Sequence, residues 1–73
     1  MLFGEIVVGT TFVLPINSPA KTDDPNRSNQ KCVFEKRGET EALVVNTIFS
    51  NHRYLIGRVR HFTDNDVVDL WNL

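Results

Sequence analysis

Cysteine occurs once in this 73-residue chain, at Cys32, so an internal disulfide is excluded and a reduced, intracellular setting follows. No apolar run approaches the length of a membrane span, and Met1-Leu2-Phe3-Gly4-Glu5 lacks the basic head of a signal peptide. The expectation is a protein of the cytoplasm that does not enter a membrane. Neither GxxxxGK[ST] nor GxGxxG occurs, so no phosphate-cradling loop is announced. The spacings HxxxH, CxxC and HExxH are missing too. Two histidines and one cysteine fall short of the ligands of a structural zinc site. Asp64, Asp66 and Asp69 lack the glycine and terminal glutamate of an EF-hand loop. No catalytic residue, metal or cofactor is expected.

Net charge is small, at −1, but the charged residues are unevenly spread. Residues 1 to 30 sum to −1, residues 31 to 61 to +3 and residues 62 to 73 to −3. The middle block carries Lys31, Lys36, Arg37, Arg53, Arg58 and Arg60, whereas Asp64, Asp66 and Asp69 close the chain. Such a bipolar surface suits orientation on a charged protein partner.

What is present is strand chemistry in short pieces divided by turns, the pattern of an all-β fold. Gly9 bends the chain into a first piece, Thr10 to Pro15. Lys31 to Lys36 and Thr40 to Asn46 flank Arg37-Gly38-Glu39, and Gly38 is expected to take a positive φ in that hairpin turn. A fourth piece runs from Tyr54 to Phe62 with Gly57 marking a bulge or bend, Val59 and His61 on one face and Arg58, Arg60 and Phe62 on the other. Thr63 and Asp66 match a helix capping box, but the β-branched Val67 and Val68 favour a turn and a closing strand. The reading is a single domain over 1–73, a small five-stranded β-barrel or curved sheet. Residues 17–30 hold two prolines and no large apolar side chain, and are expected to form one long, mobile polar loop. The expected core is Phe12, Leu14, Phe34, Leu43, Val45, Ile56, Val59 and Val68.

A chain this short buries only about 60% of the surface it exposes when unfolded. Its core supplies roughly 3–5 kcal/mol, so each large apolar side chain matters.

Phe3-Gly4-Glu5-Ile6-Val7-Val8-Gly9-Thr10-Thr11-Phe12, with Cys32-Val33-Phe34-Glu35-Lys36, Glu41-Ala42-Leu43-Val44 and the acidic turn before Val67-Val68, resembles small SH3-like barrel proteins of bacteriophages. In size and character the chain is similar to the RNA polymerase-binding regulators of lytic Xanthomonas phages. The resemblance implies a non-enzymatic regulator that binds host RNA polymerase, near nascent RNA, inhibits host initiation and promotes terminator read-through, and is monomeric when free. The residues expected to meet the partner are Lys36, Arg37, Arg53, Arg58 and Arg60. The alternative is a small barrel that binds nucleic acid by itself, because Phe34, Tyr54 and Phe62 interleave with these basic residues. The slightly negative net charge weighs against it.

Overall fold

The computed structural model describes residues 1–15 and 31–71. The expected loop 17–30 lies outside the described residues. Five strands form one antiparallel sheet: β1 (Thr11–Val13), β2 (Cys32–Lys36), β3 (Glu41–Thr47), β4 (Val59–His61) and β5 (Asp69–Leu70). Their order is β4-β3-β2-β1-β5, and the sheet is not closed. The chain is therefore all-β, as the alternation of strand pieces and turns predicts, with a 3-10 turn at Phe3–Glu5 and a 3-10 helix at Ser50–Leu55. Among the described residues no helix is long and apolar enough to cross a membrane.

Two glycines do what only glycine does cheaply. Gly9 and Gly57 both have φ of 96°, and a Cβ at either would meet nothing within 4 Å, so backbone conformation alone selects them. Gly38 departs from expectation and lies outside the left-handed region. Its hairpin closes instead through the Arg37 and Gly38 N–H groups, which both donate to the Glu41 carbonyl at 3.0 and 3.2 Å.

Four phenylalanines make the centre of the core. Phe3 stacks on Phe62 with centroids 5.0 Å apart, and Phe12 stacks on Phe34 at 5.4 Å. Edge-to-face contacts at 5.2 to 5.7 Å join the two pairs. Such geometry adds about 0.5–1.5 kcal/mol per pair to the burial itself. Ile6, Leu14, Cys32, Ala42, Val44, Leu55 and Val68 complete the cluster.

Half of the expected core is displaced. Phe12, Leu14, Phe34 and Val68 are buried, but Leu43 and Val45 are only half-buried, and Ile56 and Val59 are exposed. On β3 the inward residues are Ala42 and Val44, which lie across from Lys36 and Phe34. With Ala42 to Val45 apolar throughout, the side-chain alternation has no contrast, and a one-residue change of phase exchanges the faces. A register shift at Val33/Phe34 leaves Val45 as the extra residue on β3, which bends the sheet there. On β4 the alternation is as read, but Phe62 faces inward while Val59 and His61 face out.

The N-terminal segment is held against the acidic turn. The Phe3 N–H donates to the Asp66 carbonyl at 2.8 Å, and the Gly4 N–H to the Asp64 carbonyl at 3.1 Å. Thr63 and Asp66 form only one bond of a capping box: the Thr63 N–H donates to Asp66 Oδ2 at 2.9 Å, while the Asp66 N–H donates to the Thr63 main-chain carbonyl at 3.1 Å, as in a β-turn. They close a turn, and β5 follows it.

Candidate functional surface

The connection from β3 to β4 carries the most unusual surface. Within Ser50–Leu55 only Leu55 is buried, and it pins the 3-10 helix to the core. Side chains three apart share a side of such a helix, so His52 turns inward with Leu55 while Arg53 and Tyr54 point out. His52 Nδ1 is buried with no hydrogen-bond partner among the described residues. The helix starts without a side-chain cap. Instead, Thr47 Oγ1 donates to the Phe49 carbonyl at 2.9 Å, and the His52 N–H donates to the same carbonyl at 3.1 Å.

This architecture turns large apolar groups outward. Phe49 is 56% exposed, the one phenylalanine outside the core, and Tyr54 is 67% exposed. Ile48 and Ile56 are exposed on the same connection. Phe49, His52 and Tyr54 form a row, with centroids 6.1 and 6.3 Å apart, and the Arg58 guanidinium lies 5.8 Å from the Tyr54 ring centroid. That distance is within reach of a cation–π interaction. Arg53 is exposed on the same 3-10 helix. Aromatic rings with arginine are the side chains that carry most of the energy at protein interfaces.

The five basic residues singled out from the sequence do not form one group. Arg53 and Arg58 belong to this connection. Arg60, on β4, is half-buried and lies across from Ala42; its Nη1 donates to the Val59 carbonyl at 3.3 Å. Arg37 sits in the β2–β3 turn and pairs with Glu35 at 2.8 Å. Lys36 is a correction to the expected set: it is 6% exposed, and its Nζ donates to the carbonyls of Phe3 and Ile6, both at 2.9 Å. An ammonium engaged in this way ties the N-terminal segment to β2 and is not presented to a partner.

Phe49 and Ile48 are missing from the residues expected to meet a partner because that set is drawn from basic side chains alone. The signal that would have found them is two adjacent large apolar side chains in a connection whose inward places go to His52 and Leu55. Cys32 is buried in the core. Among the described residues no three His, Cys, Asp or Glu side chains gather as a metal site would require. A scan of protein-family models finds no match to this chain, and searches of curated proteins and of solved structures find no similar protein.

Proposed function

We propose that this protein is a phage-encoded, non-catalytic regulator that works in the host cytoplasm by docking on host RNA polymerase, inhibiting host initiation and promoting terminator read-through. The observation that carries the docking is the exposed pair of rings Phe49 and Tyr54, bridged by the half-buried His52, with Ile48, Ile56, Arg53 and Arg58 around them. The polymerase as partner, and the regulatory outcome, rest on the resemblance to phage regulators. A domain with so thin a core has little stability to spare, and leaving several large apolar groups in water is the mark of a surface that another molecule covers.

Binding of single-stranded nucleic acid is the second reading, favoured by the exposed Tyr54 ring with Arg58 beside it. One experiment separates the two. The protein is labelled and titrated with purified Xanthomonas RNA polymerase, and separately with single-stranded RNA over a range of salt. Saturable binding to polymerase, lost in the double variant Phe49→Ala/Tyr54→Ala, supports docking. Binding to bare RNA with a steep salt dependence, and none to polymerase, overturns it.

A further inference from the structure

The register of β4 leaves half of its backbone facing outward. The Phe62 N–H donates to the Thr40 carbonyl at 2.7 Å, and the Val44 N–H to the Arg58 carbonyl at 2.8 Å. Residues 58, 60 and 62 therefore turn their backbone groups toward β3, and Val59 and His61 turn theirs away. Among the described residues no strand lies beyond β4. The bond from Arg60 Nη1 to the Val59 carbonyl engages one of these outward acceptors.

Side chains divide in the same way. Val59 and His61 stand on one face, across from Leu43 and Glu41. Arg58 and Arg60 precede and interrupt them on the other, with Arg53 on the connection just before. This edge thus offers outward ladder groups flanked by positive charge, and an apolar position, Val59, that is 46% exposed.

We infer that the β4 edge is a docking site for an extended acidic segment of a partner protein, which adds to the sheet as a sixth, antiparallel strand. Backbone groups of Val59 and His61 supply the ladder, and alternate carboxylates of the segment lie beside Arg58 and Arg60. Charge complementarity selects this occupant over a second copy of the chain. Pairing β4 with β4 of another copy in antiparallel fashion, with Val59 opposite His61, sets Arg60 across from Arg60, and like charges at opposed positions destabilise a sheet. The inference deepens the docking reading above and rests on it only for the partner being a protein.

The test uses the full chain labelled with 15N and three synthetic eight-residue peptides. One alternates glutamate with valine, one alternates lysine with valine, and the third is the acidic peptide N-methylated at alternate residues so that its ladder donors are gone. The expected result is saturable shifts centred on the Val59 and His61 amides with the acidic peptide. Affinity at least tenfold weaker is expected for both other peptides, and for the acidic peptide against Arg58→Glu. Arg58→Gln serves the same comparison if Arg58→Glu does not fold. No saturable shift with the acidic peptide, shifts centred elsewhere, or equal binding of the lysine or N-methylated peptide overturns the inference. So does sedimentation showing that the free chain self-associates through this edge, which would place a second copy there. Because the peptides are synthetic, edge pairing can fail while polymerase binding stands, and the reverse.

Discussion

Lys36 reaches back across the sheet to Phe3, where its Nζ lies 4.4 Å from the ring centroid and donates to the Phe3 carbonyl at 2.9 Å. A second bond, to the Ile6 carbonyl at 2.9 Å, makes this one side chain the tie between β2 and the N-terminal segment. The same segment delivers Phe3 to the stack with Phe62, so the tie and the core reinforce each other.

Replacing Lys36 by methionine keeps the stem and removes the donors, stranding the Ile6 carbonyl and leaving the Phe3 carbonyl only the long bond from the Ile6 N–H at 3.4 Å. A stranded carbonyl costs about 1–3 kcal/mol, so Lys36→Met should lower stability by about that much. Urea unfolding followed by circular dichroism measures it. A midpoint equal to that of the parent would show that water or another donor replaces the ammonium.

The glycines separate backbone strain from crowding. At Gly9 and Gly57 the surroundings are open, so alanine meets only the penalty of a positive φ, on the order of 1–2 kcal/mol each. At Gly4 a Cβ would stand 2.8 Å from Asp64 Cβ, and the turn must move to admit it. Gly4→Ala should therefore shift the amide resonances of residues 63 to 66, whereas the other two variants should leave those resonances in place.

Phe62 and Phe49 are the same residue type in opposite roles. Phe62→Ala removes a ring from the four-ring cluster at a cost of about 3–5 kcal/mol, comparable to the whole stability of so small a domain, and should leave the chain largely unfolded. Phe49→Ala should retain the parental melting temperature within a few degrees and weaken polymerase binding at least tenfold. A thermal melt of each, paired with the titration of Phe49→Ala, decides both points.

The phase of β3 is open to direct measurement. Val44→Ala opens space beside Phe34 and should cost about 1.5–3 kcal/mol, the worth of a buried valine. Val45→Ala, at the bulge and half-buried, should cost less than about 1 kcal/mol. The opposite ranking in denaturant unfolding would place β3 in the other phase.

Local chemistry sufficed for a good part of the fold. Turn residues and β-branched runs locate the five strand pieces, except that the fourth, read from Tyr54, begins only at Val59 because Tyr54 and Leu55 end a 3-10 helix. Thr63-Asp64-Asn65-Asp66 before Val67 and Val68 announces the turn that precedes β5. Gly9 and Gly57 are read correctly as bends, whereas the same local rule fails at Gly38, whose turn closes without a positive φ. The proposal that the partner is a polymerase rests on the resemblance to phage regulators and not on the fold.

Contacts distant in sequence decided the rest. Which face of β3 and β4 is buried depends on cross-strand partners, and a run such as Ala42-Leu43-Val44-Val45 presents no difference between its two sides. Lys36 reads as a surface charge until the fold brings the Phe3 and Ile6 carbonyls to its ammonium, more than two dozen residues away along the chain. Phe49 goes unmarked in the sequence, and its exposure beside Tyr54 emerges only when His52 and Leu55 take the inward places of the helix. Composition and spacing settle where a strand or turn forms, because those choices are made within a few residues. Burial is settled only when separate segments meet, and for this protein that is what assigns Lys36 to the framework and Phe49 to the surface.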